Sequence, residues 1–172
     1  LPRTAMSAMS NRTDLLTANA RYAANFTHGD LPAPPARRIA ILTCMDARLD
    51  PAKFLGLSEG EAHVIRNAGG RANPDALNAL VISQQYLGTN EVVVIHHTRC
   101  GMIGLRDEAV QELLTERFGG PIEPQRYGGF DDLAQSVRDD VATIRADARI
   151  PDDLPISGFT YDVETGRLTE VG

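Results

Sequence analysis

The sequence has too few cysteines for a disulfide framework and no basic run suited to nucleic acid. Its 172 residues include two cysteines and no tryptophan. Two cysteines allow at most one disulfide, and a lone disulfide is disfavoured in a reducing cytosol, so metal ligation or catalysis explains them better. The formal net charge is -6, without a dense run of Lys or Arg. Nucleic acid and acidic lipid are therefore poor candidates as partners.

Long apolar segments are also absent from the sequence. The longest such stretch, at 39–45, is far shorter than the roughly 20 residues that a helix needs to cross a bilayer. The chain begins with Leu1 and shows no charged head followed by an apolar core, the arrangement typical of a secretory signal. We therefore expect a cytoplasmic protein without a membrane partner. With 42% hydrophobic and 23% charged residues, the composition is that of an ordinary globular domain.

Apolar runs of strand length alternate with helical patterns along most of the chain. The runs at 38–44 and 91–96 suit buried strands, and 62–66 reads as a short strand between them. Residues 107–118 and 130–144 carry apolar residues at helical spacing. This alternation predicts an α/β fold, with a mostly parallel central β-sheet flanked by helices.

Capping residues and turns set the limits of the remaining elements. Asp50-Pro51 and Asn73-Pro74 each place a capping side chain before a proline at the first helical position. The second of these helices is expected to continue to a stop at Gly88. A turn that contains glycine, at 164–166, predicts a C-terminal β-hairpin within 158–171.

The N-terminal segment has a different character from the rest of the chain. Residues 11–26 are polar and compatible with a helix, and 31–35 is rich in proline, which forbids helix and favours an extended linker. We predict a helical and proline-rich arm over 1–35, followed by a single α/β catalytic domain over 36–172.

Both cysteines follow predicted buried strands. Cys44 closes the first strand, and His97 and Cys100 follow the third strand with two residues between them. Ligands of open α/β sheets bind beyond the carboxyl ends of strands, so these three side chains can turn toward one ion. Three protein ligands are typical of catalytic zinc, which predicts a Zn²⁺ site in the domain; a buried apolar role or a regulatory disulfide is the alternative. His96 should point to the opposite strand face and pack as a core residue.

Three segments resemble the motifs of the β-class carbonic anhydrases: Cys44-Met-Asp-Ala-Arg48, Arg66-Asn-Ala-Gly-Gly70 and His97-Thr-Arg-Cys-Gly-Met102. They occur in the order and at the spacing of that family, and the segment 158–171 is also similar to it. The resemblance implies the α/β fold predicted above and a homodimer or higher homo-oligomer, in which an N-terminal helix crosses onto the partner. It also implies the branch of the family that contains carbonyl sulfide hydrolase.

The residues around the ligands indicate how such a centre would act. Zinc lowers the pKa of a bound water to about 7, so that zinc-bound hydroxide can attack a small linear substrate near neutral pH. Asp46 can accept the proton of that hydroxide, while Arg48 keeps the carboxylate ionised and oriented. A plain surface salt bridge is the alternative for this pair. Gly101 resembles the family position whose backbone N–H lies near bound bicarbonate, and a simple turn is its alternative.

The reaction that these features favour is the reversible hydration of CO2 to bicarbonate. Carbonyl sulfide hydrolysis at the same site is the first alternative, because Arg99 and the segment 158–163 resemble that enzyme. Pro35 also stands where plant-type members carry a glutamine that contacts substrate. A non-catalytic zinc-binding or redox-sensing protein is the second alternative. Retention of Asp46 and Arg48 argues against it, because a structural site needs no pair to orient water.

Overall fold

The computed structural model describes residues 11–172 of the chain. The predicted arm at 1–35 therefore begins outside the described residues, at 1–10. Two compact units are separable, with the division between Leu31 and Pro32. In the first unit, helix α1 (Asn11–Ala23) occupies most of the segment expected to be helical, and none of its residues is buried.

Five strands form one sheet in the order β2-β1-β3-β4-β5. Their bounds are β1 Ile39–Cys44, β2 Ala62–Asn67, β3 Glu91–His97, β4 Ile156–Tyr161 and β5 Leu168–Val171. The first four strands run parallel, and β5 pairs antiparallel with β4 to form the expected C-terminal hairpin. The predicted mostly parallel α/β sheet is therefore confirmed, with strands close to their predicted bounds.

The register brings the carboxyl ends of the inner strands to one edge of the sheet. Cys44 pairs with Asn67 on β2, and Thr43 pairs with Ile95 on β3, so β1 and β3 end at nearly the same level. β1 is buried at every position after its first residue, as expected of a strand covered on both faces. The predicted ligands at these two strand ends are thus neighbours.

Four α-helices follow β1 in the chain: α2 Pro51–Leu55, α3 Pro74–Val81, α4 Asp107–Phe118 and α5 Leu133–Arg145. The expected caps are present, since Asn73 Oδ1 accepts the Ala76 N–H at 2.9 Å and Asp50 Oδ1 accepts the Lys53 N–H at 3.4 Å. No helix within residues 11–172 is both long enough and apolar enough to cross a membrane.

Helices α3 and α5 pack on one face of the sheet. Leu80 of α3 and Val137 and Ile144 of α5 are at most 1% exposed, and they belong to one buried cluster with Leu42 and Val94 of the sheet. Burial of each such side chain contributes about 1.5–3 kcal/mol to folding. This core fixes β1 and β3, whose carboxyl ends carry the predicted ligands.

The helix that begins after Asn73 was predicted to continue to Gly88, but the structure shows that it does not. α3 ends at Val81, and the chain continues as a π-helical turn over Ile82–Tyr86. Within this turn the buried Ser83 hydroxyl lies 2.7 Å from His63 Nδ1 and 2.9 Å from Thr89 Oγ1. The apolar spacing alone does not distinguish such a wider turn from an α-helix.

Phe130 lies outside the helical stripe in which the sequence placed it. The Asp132 side chain caps α5 by accepting the Gln135 N–H at 2.7 Å, so the helix begins at Leu133. Phe130 instead forms an isolated bridge with Ile103, supported by hydrogen bonds of its backbone to Met102 and Gly104. Its ring is buried next to the two cysteines rather than under the helix.

Candidate metal centre

Three side chains at the carboxyl edge of the sheet bring their ligand atoms together. Cys44 ends β1, His97 ends β3, and Cys100 lies in the turn that follows. One ligand atom from each residue lies within 4.8 Å of the other two, and all three residues are buried. The two sulfur atoms are 3.9 Å apart. The residues singled out by the sequence thus form a cluster of the size that one metal ion requires.

The imidazole of His97 is oriented to act as a ligand. Nδ1 lies 2.8 Å from the carbonyl oxygen of Thr98, which can only accept, so Nδ1 carries the hydrogen and Nε2 has a free lone pair. Nε2 is buried and, within the part of the chain that the structure describes, has no hydrogen-bond partner. Because buried polar atoms nearly always have a partner, this nitrogen fits a metal ligand.

The two thiols of the cluster ionise unequally. Their hydrogen bond lowers the pKa of Cys44, whose thiolate accepts it, and raises the pKa of Cys100, whose thiol donates it. Burial and repulsion by the Cys44 thiolate raise the pKa of Cys100 further. The Gly69 N–H, 3.3 Å from Cys44 Sγ, also stabilises the first thiolate. A divalent cation would remove the repulsion, and two thiolates with one imidazole are a donor set that suits zinc.

Asp46 and Arg48 form a two-bond ion pair beside the cluster. Arg48 Nε donates to Asp46 Oδ1 at 2.9 Å, and Nη2 donates to Oδ2 at 2.7 Å. Hydrogen bonds from Arg48 hold the pKa of Asp46 well below its ordinary value. Oδ2 lies 3.8 Å from His97 Nε2, so the ionised carboxylate faces the ligand cluster. Arg48 Nη2 also donates to the carbonyl oxygen of Arg99 at 2.9 Å, which ties the pair to the loop between the ligands.

Arg66 holds the loop that joins the first ligand to this pair, a role that the sequence analysis did not assign. Its Nε donates to the carbonyl oxygen of Cys44 at 2.9 Å, and its Nη2 donates to that of Asp46 at 2.8 Å. Arg66 pairs with Thr43 in the sheet register, so its side chain is level with the end of β1. A charged residue at the end of a strand, inside one of the three motifs, is the signal that could have identified it.

Comparison with known proteins identifies the family. A family model described as carbonic anhydrase matches residues 39–124. β-Carbonic anhydrase 1 of Mycobacterium tuberculosis is 41% identical over 164 residues, which cover 95% of this chain and 99% of the relative. The chain belongs to the β-carbonic anhydrase family.

Two further relatives of this β-carbonic anhydrase family member extend the comparison. The crystal structure of carbonic anhydrase from Streptococcus mutans has a TM-score of 0.91 at 43% identity, over 95% of this chain and 99% of that one. Carbon disulfide hydrolase of Acidianus sp. is 32% identical over an alignment of 158 positions that covers 78% of each chain. The family and the enzyme class predicted from the sequence are therefore confirmed.

The two other histidines of the sheet lie away from the β-carbonic anhydrase ligand cluster. His96 is fully buried on the α5 side of β3, where its Nδ1 lies 2.7 Å from Ser136 Oγ. This agrees with the alternation of side chains along the strand. His63 pairs with Ala40 in the register near the start of β2, so it lies at the opposite edge of the sheet from the ligands.

Apolar side chains surround the cysteines of this member of the β-carbonic anhydrase family. Cys44 and Cys100 form a buried cluster with Leu49 and Phe130. Partly buried residues that pack against it are Phe54, Met102, Leu133, Tyr161 and Val163. Gly101 is exposed, and a Cβ atom there would meet nothing within 4 Å. Open space thus lies beside Gly101, and packing does not require glycine at this position.

Proposed function

We propose that this chain catalyses the reversible hydration of CO2 to bicarbonate at a Zn²⁺ ion held by Cys44, His97 and Cys100. The observation that carries the proposal is the buried ligand cluster, in which His97 Nε2 has no hydrogen-bond partner among the described residues. The ionised Asp46 carboxylate that faces this cluster supports a catalytic site rather than a structural one. The relative named β-carbonic anhydrase 1, at 41% identity, supports the same reaction.

Each proposed ligand has a defined task. Cys44 and Cys100 supply the negative charge that binds a divalent cation, and the Thr98 carbonyl oxygen keeps His97 in the form that presents Nε2 as the ligand. When bound, zinc is a Lewis acid that makes water acidic enough to react near neutral pH. Three protein ligands would leave a position for water at the same centre, as in catalytic zinc sites.

Asp46 orients the attacking water in this proposal. Its Oδ2 atom, which faces the cluster, accepts a hydrogen from that water and so directs an oxygen lone pair toward the carbon of the substrate. Arg48 occupies both carboxylate oxygens and keeps the group ionised. Because Arg48 also binds the carbonyl oxygen of Arg99, the pair keeps its position relative to the loop that carries Cys100.

The surroundings of the cluster suit a small substrate without net charge. The buried neighbours Leu49 and Phe130 offer no polar group that a charged substrate would need. We assign the backbone N–H of Gly101 to an oxygen of bicarbonate, which the open space beside this residue can accommodate. A neutral substrate enters such a site at lower cost than its charged product, which needs this donor.

Hydrolysis of carbonyl sulfide, a sulfur analogue of CO2, is the second candidate. The relative named carbon disulfide hydrolase, at 32% identity, favours chemistry on a linear sulfur compound. The same ligands and the same Asp46 and Arg48 would serve either substrate. Arg99 gives this second candidate little support. Its Nη2 forms an ion pair with Glu164 Oε1 at 3.0 Å, and its side chain is 65% exposed.

Zinc content and CO2 hydration, measured on the zinc-loaded chain, test the proposal. We expect about one zinc per chain and hydration well above background by stopped flow. Cys100→Ser should lose both, and an unchanged zinc content would overturn the ligand assignment. Full zinc content without turnover of either substrate would indicate a non-catalytic zinc protein. The ratio of kcat/KM for CO2 and carbonyl sulfide at one pH decides between the two substrates.

We also propose a homo-oligomer in a reducing compartment such as the cytoplasm. Leu15 and Leu16 of α1 are 68% and 58% exposed, which is apolar surface that a second copy of the chain could cover. Two unpaired thiols also suit a reducing compartment better than an oxidising one. Light scattering should give a mass of at least two chains, and Leu15→Ser combined with Leu16→Ser should lower it. An active monomer at micromolar concentration would contradict the oligomer.

A further inference from the structure

A buried ion pair lies on the α5 side of β3, behind the metal centre. Arg71 Nε donates to Asp140 Oδ2 at 2.8 Å, and Nη2 donates to Oδ1 at 3.2 Å. The two side chains are 19% and 5% exposed. Burial opposes ionisation of Asp140, but hydrogen bonds from His96 and Arg71 outweigh it and hold the pKa of this carboxyl below its ordinary value. Such pairs seldom stabilise a fold more than apolar residues of the same volume would.

The pair is connected to groups that border the ligand cluster. Arg71 Nη1 donates to the carbonyl oxygen of Gly128 at 3.0 Å, and the guanidinium carbon lies 5.4 Å from the centre of the Phe130 ring. Phe130 belongs to the same buried cluster as the two cysteines. On the other side, Asp140 Oδ2 is 3.1 Å from His96 Nε2, which is also 3.2 Å from the carbonyl oxygen of Gly70. The ion pair is thus connected to the turn at 67–71 twice: Arg71 is its last residue, and His96 contacts its Gly70 carbonyl oxygen.

The side chain of Asn67 closes that turn, and the backbone of the turn packs directly on β1. Asn67 Oδ1 accepts the Arg71 N–H, and Asn67 Nδ2 donates to the Arg71 carbonyl oxygen, both at 2.7 Å. Gly70 has a φ of 71°, and a Cβ atom there would be 2.8 Å from the carbonyl carbon of Thr43. The backbone of the turn thus touches the end of β1 with no room for a side chain between them.

Gly69 is the point at which the turn reaches the metal centre. Its N–H donates to Cys44 Sγ at 3.3 Å. A hydrogen bond to a ligand sulfur draws charge from it and limits the directions in which its lone pairs point, so it adjusts both the strength and the geometry of metal binding. The position of this N–H depends on Gly70 and Arg71, which the buried network holds.

We propose that Asp140 and Arg71 are positioning residues for the metal centre: their ion pair fixes the Gly69–Gly70 turn and, through it, the hydrogen bond on the Cys44 sulfur. The inference rests on the proposed function, because it requires that Cys44 binds the metal. It assigns to α5, an element that supplies none of the proposed ligands, an indirect influence on how tightly the metal is held.

Asp140→Asn tests this inference on the full chain. The substitution keeps the shape of the side chain but leaves the Arg71 guanidinium buried without its counter-charge. Arg71→Lys is the milder second variant, since it retains the charge and loses the planar fork that makes two parallel bonds. The matched control is Asp139→Asn, the same chemical change at the neighbouring exposed position of α5, where the carboxylate accepts from Gln135 Nε2.

Two measurements on each variant report on the metal centre itself. They are the zinc Kd, from competition with a chelator, and the absorption bands that sulfur-to-cobalt charge transfer gives in the cobalt(II)-loaded chain. Outer partners of metal ligands are typically worth 10–100-fold in affinity, so we expect Asp140→Asn to raise the zinc Kd about tenfold and to shift the bands. Arg71→Lys should act in the same direction, and it serves as the test if Asp140→Asn does not fold. Asp139→Asn should change neither quantity.

The outcomes separate this inference from the proposed function. An unchanged zinc Kd and an unchanged cobalt spectrum, with only a lower Tm, would show that the ion pair supports the fold alone and would overturn the inference. Sulfur-to-cobalt bands that are absent from the unaltered chain would instead refute the ligand assignment, before any substitution is made.

Discussion

Two adjacent histidines at the end of β3 occupy opposite faces of the sheet and have opposite surroundings. Both are fully buried, so burial does not distinguish them. His97 presents an Nε2 atom that has no hydrogen-bond partner in the described part of the chain, whereas both ring nitrogens of His96 have one. An unpaired buried nitrogen is costly, so the free Nε2 of His97 indicates a metal-binding position. The fully hydrogen-bonded His96 instead indicates a structural role.

The largest expected effect comes from removing the unsatisfied histidine. His97→Ala should reduce zinc from about one per chain to near zero, because two thiolates alone leave the ion without its third ligand. His63→Ala is the control: it removes an imidazole at the other edge of the sheet and costs about 1 kcal/mol of stability through its lost bond to Ser83. Elemental analysis of both purified variants measures the difference. Equal zinc content in the two variants would contradict the assignment of His97 as a metal ligand.

Asp46→Asn should separate chemistry from metal binding on the same face. The amide can still occupy the space, but it loses the charge that accepts the hydrogen of the attacking water, so kcat/KM for CO2 should fall by about 10²–10⁴ while zinc stays bound. Asp50→Asn, in the exposed cap of α2, is the matched change and should leave hydration unaltered. Loss of zinc together with activity would mean that Asp46 itself binds the metal.

The sequence was sufficient for the frame of the fold and for the grouping of the three proposed ligands. Apolar runs predicted β1 and β3, because a strand buried on both faces needs a continuous apolar stretch. β2 was predicted as a short strand only, and none of its residues is buried. Spacing placed His97 and Cys100 together, and the parallel register brought Cys44 to them. Alternation along β3 also predicted that His96 faces away. The strands, the His97–Cys100 spacing and the orientation of His96 are local patterns, whereas the grouping with Cys44 followed from the general rule that ligands of α/β sheets bind beyond the carboxyl ends of the strands.

Contacts between particular side chains of distant segments could not be predicted in this way unless a general rule of the fold brings them together. Arg71 and Asp140 are 69 positions apart, and nothing in either segment names the other. The bond from Arg66 to the Cys44 carbonyl oxygen likewise depends on which strands become neighbours. The π-helical turn at Ile82–Tyr86 was missed for a different reason, since its apolar spacing resembles that of an α-helix.

For His96, whose ring nitrogens both have hydrogen-bond partners, the test is Ser136→Ala, which should destabilise the chain without removing the metal. The change deprives His96 Nδ1 of the hydroxyl at 2.7 Å, and an unpaired nitrogen at a fully buried site costs about 1–3 kcal/mol. Thr143→Ala on the same helix removes an exposed hydroxyl that donates to the Asp139 carbonyl oxygen, and it should change stability by about 0.5 kcal/mol or less. Denaturant unfolding of both variants gives the comparison, and equal losses would mean that His96 finds another partner.

The smallest expected effect concerns Arg99, between the two ligands of the His97 loop. Arg99 has a φ of 54°, a left-handed conformation that costs an ordinary residue roughly 1–2 kcal/mol and that asparagine tolerates better. Its side chain gains an exposed ion pair with Glu164, worth about 0–1 kcal/mol. Arg99→Asn should therefore be about 1 kcal/mol more stable than Glu164→Gln, which removes the ion pair but keeps the strained arginine.

Zinc content and kcat/KM for CO2 should not change in Arg99→Asn, because Arg48 binds the backbone oxygen of residue 99 and not its side chain. A changed ratio of carbonyl sulfide to CO2 turnover in Arg99→Asn, with Glu164→Gln unaffected, would instead show that this side chain takes part in the choice of substrate.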